Sequence, residues 1–83
     1  MREKLSFIEK IALKIIILDI SQSKDNVSAI KNEQLANKLE VDYRSAVRYI
    51  RKLEKLGYIE TIYPKAKLRL IKLKKGGMSI DEI

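Results

Sequence analysis

Four basic side chains recur at helical spacing in the second half of the chain and are its clearest chemical feature. Arg44, Arg48, Arg51 and Lys55 stand at positions i, i+4, i+7 and i+11. At about 100° per residue these positions fall on one stripe of an α-helix. Guanidinium groups bind phosphate oxygens through paired hydrogen bonds, so the stripe indicates a surface for a polyanion. The simpler interpretation is a solvated helix face, because charged helix faces usually point into water.

The charge distribution favours the first interpretation. The 83 residues carry 18 Lys and Arg against 11 Asp and Glu, a net charge of +7. Residues 31–75 hold thirteen basic and five acidic groups, a net charge of +8, whereas residues 1–30 carry +1 and residues 76–83 carry −2. A charge that served only solubility would not be segregated in this way, and such a basic segment is typical of proteins with a polyanionic partner.

The composition argues against catalysis and against a bound metal. The chain has no cysteine and no histidine. Disulfides, thiolate ligands, the commonest metal ligand and the usual general base near neutral pH are therefore excluded. Four carboxylates could form a catalytic pair: Glu9, Asp19, Glu33 and Glu60. The chain offers no further group that would complete an active site around them. We predict that the protein is not an enzyme and holds no metal and no cofactor.

The most apolar stretch, residues 11–20, is too short to span a bilayer. It contains Lys14 and Asp19, and a membrane-spanning helix needs about 20 apolar residues. No small-residue cleavage site follows the stretch, so it does not resemble a secretion signal. The sequence therefore predicts a cytoplasmic protein that does not bind membranes.

Cap residues predict three helices, the third of which carries the basic stripe. Ser6 opens an S-x-x-E capping box, and Asn32 and Asp42 are suitable caps for the helices that follow. Gly57 supplies the left-handed conformation that commonly ends a helix. The predicted helices cover residues 6–21, 33–39 and 43–56.

Two extended segments predict a hairpin over residues 58–73. The segments YIETIY and LRLIKL are rich in β-branched and aromatic residues. Between them lies a predicted turn at Pro64-Lys65-Ala66-Lys67, and proline suits position i+1 of a β-turn. We expect residues 1–75 to form one domain and residues 76–83 to form a flexible tail.

The first helix has more apolar residues than one buried face requires. Six of them share a broad face that we expect to be buried: Ile8, Ile11, Ala12, Ile15, Ile16 and Leu18. Leu13, Ile17 and Ile20 extend the apolar arc nearly all round the helix, and Ile17 falls on a stripe of polar residues. Exposed apolar strips commonly mark protein contacts, so we predict a homodimer interface at Leu13, Ile17 and Ile20.

Residues 31–73 resemble the winged helix-turn-helix of prokaryotic transcription regulators, whether bacterial, archaeal or viral. The matching pattern begins at Gln34-Leu35-Ala36, continues through Val41-Asp42 and ends at Gly57-Tyr58-Ile59. Glu40 departs from it, because the family usually has glycine at this turn. The resemblance implies a mainly α fold with a small β hairpin, of the α+β class, in which a three-helix core packs on a two- or three-stranded sheet.

The resemblance also implies roles for individual residues. The third helix becomes the recognition helix, which enters the major groove of double-stranded DNA, and the hairpin becomes the wing. Arginine suits the recognition helix because its guanidinium can bond O6 and N7 of guanine together. The implied DNA-binding residues of the helix are Tyr43, Arg44, Ser45, Arg48, Tyr49, Arg51, Lys52 and Lys55. Those implied for the wing are Lys65, Lys67 and Arg69.

The implied protein is a sequence-specific transcription regulator that acts as a homodimer, but other functions stay open at this point. A winged helix can also serve as a protein-interaction or assembly module, although such a module has no need of five basic groups on one helix face. Replication, chromatin packaging or RNA binding would keep a nucleic-acid partner and change the role. The sequence shows no small-molecule effector site.

Overall fold

The computed structural model describes residues 5–66 and 68–74. Three helices come first: α1 (Phe7–Ser21), α2 (Asn32–Leu39) and α3 (Tyr43–Lys55). An antiparallel hairpin follows, made of β1 (Ile59–Lys65) and β2 (Leu68–Leu73). The predicted α+β class is confirmed, and the elements form a winged-helix-like arrangement. The tail predicted over residues 76–83 lies outside the described residues.

Side-chain caps begin α1 and α3 at the predicted residues. The N–H of Ser6 donates to Oε1 of Glu9 at 2.7 Å, and the N–H of Glu9 donates to Oγ of Ser6 at 3.2 Å. Oδ1 of Asp42 accepts from the N–H of Ser45 at 3.3 Å. After α3, Gly57 adopts a φ of 85°, a left-handed conformation that glycine reaches without a steric penalty. The cap at Asp42 and the glycine at position 57 are sufficient to predict where α3 begins and ends.

The start of α2 differs from the prediction, because Asn32 does not cap it. Lys31 occupies the N-cap position, and its N–H donates to Oε1 of Gln34 at 2.8 Å. The amide oxygen of Asn32 instead accepts a hydrogen bond from Arg69 of β2. At the other end, Glu40 has a φ of 56°, so it adopts the left-handed turn expected there at a cost of about 1–2 kcal/mol.

The hydrophobic core lies where the three helices meet the hairpin. Leu35 of α2, Leu53 of α3, Ile59 of β1 and Ile71 of β2 are all fully buried. Burying a side chain of this size contributes about 1.5–3 kcal/mol relative to leaving it in water. Ala46 of α3 is also fully buried, and these contacts fix which face of α3 is turned away from solvent.

Helix α1 turns a different face to the core from the one predicted. Leu13 has no exposed surface, and Ile17 and Ile20 are only 7% and 6% exposed. Phe7 and Leu18 are 80% and 48% exposed. The prediction of a dimer interface at Leu13, Ile17 and Ile20 is therefore wrong, because these side chains are packed inside the core of one protomer.

The cause of this error is the uniform hydrophobicity of α1. A helix that is apolar nearly all round does not define a single buried face through its own sequence. Contacts with the other elements decide the matter, and α1 packs against α2, α3 and β2. Of the six residues expected in the core, Ala12 and Ile16 are buried, whereas Ile8, Ile11 and Ile15 are only half-buried and Leu18 is exposed.

The hairpin turns later than predicted, because Pro64 belongs to β1. The register is regular from the pair Ile59–Leu73 to the pair Ile62–Leu70, and it shifts before Lys65 pairs with Leu68. A strand irregularity at this point suits proline, which has no N–H to donate to the neighbouring strand. The prediction that Pro64 occupies position i+1 of the turn is wrong, because Pro64 lies within β1.

A single bridge connects the loop before α2 to the other edge of the hairpin. The N–H of Ser28 donates to the Ile71 carbonyl at 2.7 Å, and the N–H of Ile71 donates to the Ser28 carbonyl at 2.8 Å. The buried Ser28 hydroxyl donates to Asp19 of α1 and accepts from the N–H of Ile30. The sheet is thus two-stranded, with one bridge where a third strand would lie.

Candidate nucleic-acid interface

The predicted basic stripe lies on the solvent-facing side of α3. Arg44, Arg48, Arg51 and Lys55 are all exposed, and the buried face of the same helix consists of Ala46, Ile50 and Leu53. At 1.5 Å per residue the stripe extends for about 16 Å along the helix. Among the described residues, none of the four basic groups forms an ion pair within 4.0 Å, so the stripe presents unneutralised positive charge.

The acidic residue of α3, Glu54, is bonded to the hairpin. Oε2 of Glu54 accepts a hydrogen bond from the Thr61 hydroxyl of β1 at 2.5 Å. The contact joins α3 to the hairpin, and it holds the carboxylate on the hairpin side of α3. Among the described residues, this carboxylate forms no ion pair with the stripe.

The N-terminal end of the stripe is held by a small polar network. The Ser45 hydroxyl donates to Oδ1 of Asp42 and accepts from Nη2 of Arg48 at 3.5 Å. The hydrogen bond from the Ser45 hydroxyl lowers the pKa of Asp42, and this outweighs the raising effect of desolvation; the Ser45 N–H and the charge of Arg48 lower it further. Ser45, predicted to contact DNA, is thus placed where it bonds both Arg48 and the Asp42 cap of α3.

Lys52 was predicted as a DNA contact, but the structure places it between α3 and α1. Its Nζ lies 3.1 Å from Oε2 of Glu9, which is buried. Burial raises the pKa of Glu9, but the hydrogen bonds from Ser6 and Lys52, together with the charge of Lys52, lower it more, so the net direction is down. Tyr49, another predicted contact, is half-buried and packs against the core. Both residues support the position of α3 and lie off the basic stripe.

The predicted wing residues have three different outcomes. Lys65 is exposed at the end of β1, where a phosphate could approach it. Lys67 lies outside the described residues. Arg69 bends inward: its Nη2 donates to the Ile30 carbonyl at 2.7 Å, and its Nη1 donates to Oδ1 of Asn32. Arg69 therefore connects the hairpin to the start of α2 and is not presented to solvent as a free cation.

Sequence reasoning missed the partners of Arg69 and Lys52 because these contacts join distant parts of the chain. It also missed an open groove of about 400 Å³ between the hairpin and the first residues of α2 and α3. Tyr43, Tyr63 and Leu68 line this groove and are 59%, 68% and 38% exposed. The sequence signal for this groove was Tyr63, an aromatic residue at the end of the predicted strand YIETIY, with Lys65 two positions further on.

A comparison with known protein families and with curated proteins finds no match. Within residues 5–66 and 68–74, no helix is long and apolar enough to cross a membrane. In the same ranges, no group of three or more acidic side chains could hold a metal ion. A function must therefore be argued from the chemistry of the surfaces that the described residues present, among them the four exposed basic groups on α3.

Proposed function

We propose that the protein binds double-stranded DNA in a sequence-specific manner and acts as a transcription regulator in the cytoplasm. The observation that supports this most strongly is the stripe of Arg44, Arg48, Arg51 and Lys55. All four are exposed on the side of α3 opposite the core. A cluster of guanidinium groups on one rigid helix is the arrangement that phosphate and base-edge recognition requires.

The dimensions of α3 fit this proposal. An α-helix with its side chains is about 10–12 Å across, and the major groove of B-DNA is about 12 Å wide. Arg44 and Arg48 lie one turn apart at the N-terminal end, the end that enters deepest in helix-turn-helix docking. We assign base contacts to this pair and phosphate contacts to Arg51 and Lys55, which lie further along the helix.

The hairpin takes the role of the wing in this proposal. Lys65 is exposed and can contact a phosphate. Lys67 lies outside the described residues and keeps its predicted role as a phosphate contact. Arg69 is a positioning residue, because its bonds to Ile30 and Asn32 hold the hairpin against α2. A wing held in this way approaches the DNA backbone together with α3.

We propose that the DNA-bound form is a homodimer that pairs through the exposed face of α1. Phe7, Ile11 and Leu18 fall on one stripe at i, i+4 and i+11, with the partly exposed Lys14 at i+7; Phe7 and Leu18 are exposed and Ile11 is partly exposed. A single short domain covers few base pairs, too few for useful specificity against a genome. A twofold pair would recognise a pseudo-palindrome with half-sites about 10 base pairs apart, or a multiple of that.

Selection of bound duplexes from a random pool, followed by anisotropy titration, tests the DNA-binding proposal. We expect Arg44→Ala and Arg48→Ala each to cost about 1–3 kcal/mol on the selected duplex and to relax preference at one base position. Lys24→Ala is the matched control, because it removes the same charge from an exposed loop residue. If Lys24→Ala weakens binding as much as the α3 variants do, the stripe is not the recognition surface.

A further inference from the structure

The open groove beside the hairpin gathers most of the exposed aromatic and large apolar surface of the described chain. We call it the tyrosine groove and define it by Lys31, Tyr43, Tyr63, Leu68 and Arg69. Five large apolar or aromatic side chains are markedly exposed in residues 5–66 and 68–74, and three of them line this groove. Exposed apolar side chains that converge on one cavity usually mark a binding site.

The four basic residues of the α3 stripe do not line this groove. The basic stripe runs along the side of α3 opposite the core, whereas Tyr43 is the first residue of α3 and faces the hairpin across the groove. Tyr63 stands on β1, and the four stripe residues line no part of this groove, although Arg51 and Tyr63 both line a smaller neighbouring cavity. The stripe residues alone therefore do not account for the exposure of the two rings.

The groove suits a ligand that has a flat ring next to an anionic group. Tyrosine faces stack on nucleobases with little preference for sequence, because every base has a π-face. Lys31 supplies an exposed cation at the rim. The Nε atom of Arg69 is buried and has no hydrogen-bond partner among the described residues, although both terminal nitrogens are bonded. Glu33 also lines the groove, so basic groups outnumber acidic ones there by two to one.

We propose that the tyrosine groove binds one nucleotide unit, with the base against Tyr43 and Tyr63 and the phosphate near Lys31. Its volume of about 400 Å³ lies within the range of about 300–1,000 Å³ that small-molecule sites occupy. The unit is either an unpaired nucleotide of a DNA strand or a free mononucleotide, which share the same base, sugar and phosphate. The proposal goes beyond duplex recognition and does not require the α3 stripe to read bases.

Two probes distinguish the sources: a labelled ten-nucleotide oligothymidylate and free thymidine monophosphate. We expect the oligonucleotide to bind in an anisotropy titration, and Tyr63→Ala to weaken it about fivefold or more. Tyr63→Phe keeps the ring and should bind nearly as the parent protein does. Phe7→Ala is the matched control, because it removes an exposed aromatic ring that does not line the groove.

The mononucleotide titration, followed by tyrosine fluorescence, assigns the source. Binding of thymidine monophosphate that Tyr63→Ala abolishes indicates a free nucleotide, whereas binding of the oligonucleotide alone indicates an unpaired strand. Circular dichroism verifies that Tyr63→Ala is folded, as its exposure predicts. The proposal is overturned if neither probe binds, or if Tyr63→Ala and Tyr43→Ala both bind the oligonucleotide with the parent affinity. Neither result bears on the duplex test with Arg44→Ala, which has its own readout.

Discussion

Two neighbouring residues of α1, Ile17 and Leu18, give a sharp test of how this helix is oriented. Ile17 is 7% exposed and Leu18 is 48% exposed. We therefore expect Ile17→Ala to destabilise the protein strongly and Leu18→Ala to change its stability little. The opposite order would be expected from the sequence alone, which favours a buried Leu18 and an exposed Ile17.

The size of the difference follows from burial. Truncating a fully buried isoleucine to alanine costs about 2–5 kcal/mol, because a cavity remains where the side chain was. Surface substitutions usually stay within about 0.5 kcal/mol of the parent. A domain of this length has a total stability of about 4–12 kcal/mol, so the loss at Ile17 is a large share of it. In thermal melts a loss of 2 kcal/mol corresponds to about 8–16 °C.

Urea denaturation followed by circular dichroism measures both variants. The free energy of unfolding of Ile17→Ala should fall by at least about 2 kcal/mol, while Leu18→Ala stays within about 1 kcal/mol of the parent. Equal losses, or a larger loss for Leu18→Ala, would refute the orientation of α1 described above. Such a result would also restore Ile17 as a surface residue available for self-association.

Three further outcomes are expected. The pKa of Glu9 lies below its usual value of 4.5 in the folded protein. Its ionised form therefore adds stability above about pH 4.5, and this stability is lost as the pH falls through the folded pKa. In urea denaturation, Glu9→Gln should be less stable than the parent at pH 7 and should lose less stability below about pH 4.5. Lys65→Ala should weaken DNA binding about equally on every duplex and reduce the slope of log affinity against log salt by about 1; a changed base preference would contradict a phosphate role. Sedimentation should show a concentration-dependent dimer that Phe7→Glu with Leu18→Glu converts to a folded monomer, and a parent protein that stays monomeric at high concentration would exclude this pairing.

Local signals in the sequence are sufficient for much of the fold. The capping box at Ser6 and the cap at Asp42 act within one helical turn, and Gly57 ends α3 through its own backbone conformation. The exposure of the basic stripe follows from helical spacing together with the apolar residues opposite it. Such features depend on residues three or four positions apart, so a sequence contains all the information needed to predict them.

Other features depend on contacts between distant segments and could not be predicted locally. Lys52 is paired because Glu9 of α1 lies beside α3, and Arg69 is bonded because the start of α2 lies beside β2. Both residues look like free surface cations in a one-dimensional pattern. Asn32 is a good cap by type, but its oxygen is bonded to Arg69, and Lys31 stands at the cap position instead.

The central claim, that the exposed face of α3 reads duplex DNA, is tested most directly by amide chemical-shift mapping. The labelled protein is titrated with the duplex that selection identifies, in physiological salt. We expect the largest shifts in α3 between Tyr43 and Arg48, smaller shifts near Lys65, and little change along α1. Largest shifts on the exposed face of α1, with α3 unaffected, would contradict the claim.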